Sequence, residues 1–92
     1  AEVLEAERVE GANKLLKLQI DLGSEKRQIV AGIAEFYKPE EIVGKRVAVV
    51  TNLKPAVIRG VESRGMLLAA KKGKKLAVLT PDGDLPPGAS IG

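Results

Sequence analysis

The fold is decided by one alternating segment, Leu15-Leu16-Lys17-Leu18-Gln19-Ile20-Asp21-Leu22. Its even-numbered residues are all apolar, whereas Lys17 and Gln19 between them are polar. A period of two residues places one set of side chains on a core face and the other set in solvent, as in a β-strand at the edge of a core. The segment therefore predicts a half-buried strand.

Further strands are predicted on both sides of this segment. Gly23-Ser24-Glu25 predicts a short turn, residues 27–32 the returning strand, and residues 3–9 an irregular strand upstream. Three apolar or β-branched runs downstream predict strands at 46–51, 65–70 and 76–80. Residues 52–64 are predicted to be a loop, and Gly73 supplies the tight turn of a hairpin between the last two strands.

A short helix is predicted by Pro39-Glu40-Glu41-Ile42-Val43-Gly44. Proline favours the first helical position, acidic residues the first turn, and glycine the position after the end. A helix between strands three and four of a small sheet predicts an all-β, five-stranded Greek-key OB-fold barrel. An SH3-like barrel is the alternative, but the helix position and the polar face of Lys17 and Gln19 favour the OB fold. Residues 1–80 form the predicted barrel, and residues 81–92 a C-terminal extension that is either a tail or ordered.

Two absent residue types limit the chemistry of the chain. It contains no histidine and no cysteine, so an ordinary zinc site, a disulfide and the usual nucleophile–base pairs are not expected. We therefore predict no catalytic residue, no metal site, no cofactor and no enzymatic activity. No run of about 18 apolar residues occurs, so no membrane partner is predicted. The lack of cysteine fits a reducing cytoplasm.

Positive charge is concentrated between Lys45 and Lys75. This segment contains nine basic residues and one acidic residue, Glu62, whereas the rest of the chain contains six basic and eleven acidic residues. The segment therefore carries a net charge of +8 and the remainder −5. Such asymmetry favours a nucleic-acid partner. A solvated, lysine-rich surface of a heat-stable protein is the alternative interpretation.

Phe36 and Tyr37 are the only aromatic residues. Proteins that bind single strands stack successive bases on exposed aromatic rings, and two adjacent aromatics beside the helix do not form such a platform on the sheet. We expect one of them to fill the core below the barrel. Recognition of backbone and shape remains, and it suits folded RNA, whose helices offer phosphates and 2′-hydroxyls.

Five sequence blocks follow one another in the order of a known family, at residues 13–23, 27–33, 39–45, 52–55 and 60–70. The last block includes Val61-Glu62-Ser63-Arg64-Gly65-Met66. Together the blocks resemble the tRNA-binding domain family, which occurs at the C-terminus of many methionyl-tRNA synthetases and in free-standing structure-specific tRNA-binding proteins. Members commonly enter the first strand through an Asp-Leu-Arg-Val-Gly type segment, whereas this chain starts within that strand at about Val3.

The resemblance implies non-catalytic, largely sequence-independent binding of folded tRNA by a domain appended to methionyl-tRNA synthetase. Such a domain aids tRNA capture and dimerisation, and any aminoacyl-tRNA ligase activity would reside in a separate catalytic core. The expected partners are tRNA, a second copy of the chain in a homodimer, and a synthetase core. Residues 81–92 resemble the extension that contributes to the subunit interface of bacterial and archaeal homodimers. The alternative is a protein–protein interaction module of a synthetase complex, with an incidental basic surface.

The candidate RNA contacts fall into two groups. One lies on the face of strands two and three that an OB fold uses for ligands, and the other on a basic, hydroxyl-bearing loop suited to phosphate and sugar contacts. The first group is Lys17, Gln19, Arg27 and Gln28, the second is Asn52, Lys54, Arg59, Ser63 and Arg64, and Lys14 after the preceding loop is added to them. The alternatives are ordinary solvent-facing side chains in the first group, and satisfaction of local backbone groups by Ser63 and Asn52 in the second. Met66 is expected in the core, and the lysines at 71–75 are expected to provide only general electrostatic attraction.

Overall fold

The alternating segment folds into the central strand of an antiparallel sheet. In the computed structural model, which describes residues 1–91, strand β2 (Leu16–Asp21) pairs with β1 (Glu2–Arg8) on one side and with β3 (Lys26–Ala31) on the other. The apolar side chains of β2 are completely buried, namely Leu16, Leu18 and Ile20. The predicted half-buried strand and its returning partner are therefore confirmed.

The predicted helix is a single turn, α1 (Pro39–Ile42), between β3 and the next strand. Pro39 occupies the first turn, and the Glu41 carboxylate accepts a hydrogen bond from the Lys38 main-chain N–H at 2.8 Å. This contact satisfies one of the donors that a helix start leaves without a partner. Ile42, the last residue of α1, is fully buried in the core. No helix within residues 1–91 has the length and apolar character needed to cross a membrane.

Six short strands complete the described part of the chain. They are β4 (Val49–Val50), β5 (Ala56–Ile58), β6 (Val61–Ser63), β7 (Met66–Leu67), β8 (Ala69–Lys72) and β9 (Lys75–Val78). Strand β4 pairs with β7, β5 with β6, and β8 with β9, all antiparallel. The all-β fold class is thus confirmed. Within residues 1–91 the ladders form four separate sheets, and they do not close into the predicted five-stranded barrel.

Main-chain hydrogen bonds outside the ladders join the sheets to one another. The N–H of Val3 in β1 donates to Lys45 O at 3.0 Å, which attaches the first sheet to the segment after the helix. Ala48 N donates to Leu79 O at 3.1 Å, and Ala48 O accepts from Leu68 N at 2.9 Å. Residue 48 therefore lies between the β7–β8 junction and the end of β9.

The core is aliphatic, and one aromatic residue packs against it. Its members come from β1, β2, β3, α1 and the later strands, and Tyr37 is partly buried against them. The Tyr37 hydroxyl accepts a hydrogen bond from the Val78 main-chain N–H at 3.1 Å, which ties the turn before α1 to β9. Of the two aromatic residues, Tyr37 is thus the one that packs against the core, although it is only partly buried.

The prediction of a loop over residues 52–64 is wrong, because β5 and β6 form a hairpin there. Its two-residue turn consists of Arg59 and Gly60, with φ angles of +54° and +78°. Two consecutive positive φ values match the turn that suits the twist of a hairpin, for which Asn-Gly and Asp-Gly are the usual signals. Arginine is not such a signal, so the turn could not be predicted from its residue types.

Two other strand predictions are too long. Of residues 46–51, only Val49 and Val50 belong to a ladder, while Arg46 makes an isolated bridge to Glu2. The run 65–70 divides at Leu68, which separates β7 from β8. Met66 is 46% exposed, so its expected place in the core is wrong.

Residues 81–91 contain no helix or strand, but they lie against the turn between β2 and β3. A Cβ added to Gly88 would stand 2.5 Å from Leu22 O, and one added to Gly23 would stand 2.7 Å from Pro87 O. Only glycine allows backbones to approach so closely. The extension therefore packs closely against the β2–β3 turn at Pro87 and Gly88. Gly92, the last residue of the predicted extension, lies outside the described residues.

Candidate nucleic-acid interface

The β5–β6 hairpin is held on the sheet by a second, smaller hydrophobic cluster. Val30 of β3 is buried there with Val9 and Ala12, and Ile58 and Val61 of the hairpin pack against them. Cross-strand partners share a face, so the pairing of Ile58 with Val61 directs both toward the sheet. The turn residues between them consequently project away from the sheet.

Ser63 fastens the base of the hairpin to β3. Its hydroxyl accepts a hydrogen bond from Val30 N at 2.9 Å and donates one to Gly65 O at 3.0 Å. Arg64 N donates to Gln28 O at 2.9 Å on the same edge. Ser63 is only 4% exposed, so its hydroxyl is not available to RNA in this structure. The alternative interpretation, satisfaction of local backbone groups, describes Ser63.

Arg27 also acts on the backbone of this region. Its Nη1 donates to Thr51 O at 2.7 Å and to Arg64 O at 3.2 Å, and its Nε pairs with Glu25. The register pairs Arg27 with Ile20, a core residue, and its side chain is 19% exposed. The prediction that Arg27 shares the polar face of Lys17 and Gln19 is therefore wrong, because that face belongs to the next residue along β3.

Gln19 and Gln28 are direct cross-strand partners on the polar face. Gln19 Nε2 donates to Gln28 Oε1 at 3.0 Å, and Gln28 Nε2 donates to Glu62 O at 2.8 Å. Lys17 lies on the same face but forms an ion pair with Glu7 of β1. Since Glu5 is the cross-strand partner of Gln19, this face is polar but not basic. Sequence reasoning missed the two carboxylates, because their position depends on the register of β1.

Unpaired positive charge lies instead on and around the β5–β6 hairpin. Arg59 at its tip and Arg64 at its base are both exposed, as is Lys54 in the segment that leads into β5. Lys14 and Arg59 line the same surface depression. Among the ion pairs of residues 1–91, none involves these four residues. Four of the ten predicted contacts are therefore exposed basic residues at the two ends of the β5–β6 hairpin. Lys14 and Arg59 lie at its tip and Lys54 and Arg64 at its base, and we call these four residues the hairpin surface.

Asn52 is exposed near Lys54 of this surface. Arg46, a basic residue of the segment 45–75, instead forms ion pairs away from the hairpin. Arg46 lies 3.4 Å from the Glu2 carboxylate and 3.6 Å from that of Asp84, and it donates to Leu85 O. Arg46 thus fixes the extension to β1 and is not part of the hairpin surface. Within the described residues there is also no cluster of side chains suited to a metal ion.

The chain was compared with known protein families. The family described as "Putative tRNA binding domain" matches residues 1–90 of the chain. The chain belongs to the tRNA-binding domain family. The resemblance carried by the sequence blocks is thereby confirmed, and it extends over almost the whole of this tRNA-binding domain.

Curated relatives of this tRNA-binding domain are much longer proteins. Methionine–tRNA ligase of Thermotoga maritima is 65% identical over 91 residues, which are 99% of this chain and 14% of the ligase. Methionine–tRNA ligase of Methanothrix thermoacetophila is 61% identical over 89 residues, which are 97% of this chain and 13% of the ligase. The chain thus spans about one seventh of the length of the relatives that it matches.

Solved structures share the backbone of this tRNA-binding domain. A MetRS-related protein from Pyrococcus horikoshii has a TM-score of 0.89 and 43% identity, covering 96% of this chain and 82% of that one. The chaperone CsaA from Bacillus anthracis also has a TM-score of 0.89, with 28% identity over 99% of this chain and 85% of that one. The backbone is therefore common to a MetRS-related protein and a chaperone, so the fold alone does not determine function.

Proposed function

We propose that the chain binds folded tRNA without catalysis, as a domain appended to methionyl-tRNA synthetase. The observation that carries this proposal is the hairpin surface, whose four basic side chains are open to solvent in a member of the tRNA-binding domain family. Basic side chains that lack acidic partners are free to neutralise phosphates and to release the counterions condensed on RNA. Binding of this kind follows backbone and shape rather than sequence.

The proposed contacts divide into three roles. Lys14, Lys54, Arg59 and Arg64 bind phosphates, while Gln19, Gln28, Lys17 and Asn52 bind sugar hydroxyls and phosphates beside them. Amide groups both donate and accept hydrogen bonds, which suits a 2′-hydroxyl. Arg27 and Ser63 hold the hairpin in place, because their hydrogen bonds are made to main-chain atoms.

The benefit to a synthetase arises from the linkage between the two parts. A domain of modest affinity that is joined to a catalytic core raises the effective concentration of tRNA at that core without adding a contact there. Aminoacylation then belongs to the separate core, and the chain itself supplies capture. We accordingly propose that the domain acts in the cytoplasm, where tRNA and synthetases meet.

A second candidate function is a protein–protein interaction or dimerisation module, and one observation favours it. A largely apolar depression lies between the extension and the strands beside it, with Leu68, Leu79 and Leu85 among its lining residues. These leucines are 37–47% exposed. Exposed apolar patches of this kind mark interaction sites. We propose that residues 81–92 form part of a homodimer interface here, which would double the RNA-binding surface.

An OB fold would agree with these proposed functions. We propose that residues 1–80 have the strand and helix order of an OB fold, with the four sheets joined by single main-chain hydrogen bonds and not by one closed ladder, and that residues 81–92 are its extension. The bonds of Val3 to Lys45 and of Ala48 to Leu79 support this arrangement. The position of α1 between β3 and β4 is that of the helix in an OB fold.

Filter binding with unmodified tRNA tests the proposal. Arg59→Ala combined with Arg64→Ala should weaken binding by about tenfold or more and lower the slope of log K against log salt by about 2. Between 50 and 200 mM salt the unchanged protein should lose about 10³- to 10⁵-fold in affinity if it contacts six to ten phosphates. The matched control removes two exposed charges on either side of α1, Lys38→Ala combined with Lys45→Ala.

The control decides between the candidate functions. Loss from the Arg59 and Arg64 pair alone supports tRNA binding through the hairpin surface. Equal loss from both pairs would show charge attraction without a defined site, and no loss from either would favour the protein-interaction module.

A further inference from the structure

A second basic surface lies apart from the hairpin surface, at the β8–β9 hairpin. A shallow groove there is lined by Phe36, by Leu76 and by the cross-strand pair Ala70 and Ala77. Its lining also includes three lysines, Lys71, Lys72 and Lys75. Sequence alone predicted only general attraction from these lysines, but the groove gives them a local partner in the aromatic ring.

The side chains of Phe36 and Tyr37 lie in different surroundings. Tyr37 packs against the core, whereas Phe36 is half-buried and lines the groove. The Lys71 ammonium lies over the Phe36 ring, 5.8 Å from its centroid, so a base stacked on this face would take the place of an exposed and mobile lysine side chain. The backbone of Phe36 is held in its turn, because Phe36 N donates to Ile33 O at 2.9 Å.

The lysines of the groove indicate an anionic occupant. Lys72 and Lys75 are direct cross-strand partners, and like charges in this position repel one another. Among the ion pairs of residues 1–91, none involves a lysine of this hairpin. No ion pair within residues 1–91 compensates the charges of Lys72 and Lys75. A phosphate bound between them would relieve their repulsion.

We propose that this groove binds one unpaired nucleotide of RNA, with its base on the Phe36 ring and its phosphate at Lys72 and Lys75. A nucleotide combines a flat apolar face with an anion, and stacking of bases on aromatic rings is how unpaired nucleotides are held. An acidic peptide would engage the lysines and leave the ring unused. A single ring holds a single base, which agrees with the scarcity of aromatic residues in the chain.

The inference rests on RNA as the partner class of the proposed function and adds a different mode of contact to it. The hairpin surface would bind the backbone of the folded part, and the groove would bind a nucleotide that the fold leaves unpaired, at a strand end or in a loop. Such nucleotides expose the base faces that helices hide.

Fluorescence anisotropy with a labelled hexa-adenylate RNA tests the groove. The comparison ligand is an abasic hexamer with the same number of phosphates, measured at the same low salt. Phe36→Leu retains an apolar side chain and removes the ring, and it should weaken binding of hexa-adenylate about tenfold while leaving the abasic hexamer unchanged. Phe36→Trp should restore the affinity. Lys72→Gln combined with Lys75→Gln should weaken both ligands.

Circular dichroism verifies that each variant is folded, and the Trp variant separates loss of the ring from loss of the fold. Equal affinity of Phe36→Leu and the unchanged protein for hexa-adenylate would overturn the proposal. So would displacement of the RNA by polyglutamate with no dependence on Phe36, because that result assigns the groove to an acidic protein surface.

Failure of the groove and failure of the proposed function have different signatures. If the Arg59 and Arg64 variants leave tRNA binding unchanged while Phe36→Leu still weakens hexa-adenylate, the hairpin surface fails and the groove stands. The reverse pattern removes the groove and keeps the hairpin surface.

Discussion

The hydroxyl of Ser63 accepts the main-chain N–H of Val30 at 2.9 Å, in the position where a neighbouring strand would offer a carbonyl. The same hydroxyl donates to Gly65 O. The Ser63 side chain therefore takes the place of one main-chain hydrogen bond between strands, and it holds the β5–β6 hairpin, which carries Arg59, on β3. The arrangement separates residues that hold the hairpin from residues that are open to RNA, and mutations can test this separation.

Ser63→Ala should lower the free energy of unfolding by about 1–3 kcal/mol, because it leaves the buried Val30 N–H without a partner. Urea denaturation measures this loss, and Ser24→Ala at an exposed turn is the control. A variant that keeps its stability and loses tRNA binding would instead show that the Ser63 hydroxyl contacts RNA directly.

Arg27→Ala should also act mainly on stability. It removes the hydrogen bonds to Thr51 O and Arg64 O, and hydrogen bonds of charged groups contribute about 1.5–3 kcal/mol. We expect a lower midpoint of urea denaturation and an unchanged salt slope of tRNA binding. The neighbouring exposed residue gives the control, Lys26→Ala. A salt slope that falls by about 1 without a change in stability would place the Arg27 guanidinium on a phosphate.

Arg59→Asn should raise stability and weaken binding together. Arg59 has a φ of +54°, in a region where a residue other than glycine or asparagine costs about 1–2 kcal/mol. The variant creates an Asn-Gly turn, which favours this hairpin, so the unfolding free energy should increase by about 0.5–1 kcal/mol.

Filter binding of the same variant should give a salt slope reduced by about 1, because one phosphate contact is lost. Arg59→Lys is its control, since it retains a positive charge at the tip without creating the Asn-Gly turn. Unchanged binding by the Asn variant would remove Arg59 from the proposed contacts.

Gly88→Ala should detach the extension from the β2–β3 turn. The added methyl group would stand 2.5 Å from Leu22 O at a φ of +95°, so the backbone has to move. If the extension forms the proposed homodimer interface, light scattering should show a monomer at concentrations where the unchanged protein is a dimer. Gly83→Ala is a matched control in the same extension, because its Cβ would meet nothing within 4 Å. A monomeric unchanged protein at high micromolar concentration would contradict the homodimer itself.

The elements with a strong local signal were predictable from the sequence. Strand β2 follows from the alternation around Lys17 and Gln19, and α1 follows from Pro39 and the two glutamates after it. The family also followed from sequence, since its blocks cover most of the chain. In these cases the residues that form a feature are close together along the chain.

The parts that were missed depend on contacts between distant segments. The β5–β6 hairpin went unpredicted because Arg59 occupies a backbone conformation that its residue type does not indicate. Arg27 was placed on the wrong face because a shift of one residue in register moves a side chain to the other side of a sheet. The burial of Ser63 depends on Val30, 33 positions away.

The order of charges across the sheet has a consequence for the speed of association. Glu5 and Glu7 lie on β1, the glutamines follow on β2 and β3, and Arg59 and Arg64 lie beyond β3. An approaching polyanion would therefore experience a torque as well as an attraction, and would be turned toward the hairpin before contact. Charge patterns of this kind raise association rates most at low ionic strength. Since Lys17 neutralises Glu7, the Glu5 carboxylate would act on the orientation of the encounter, at a distance and without touching the RNA.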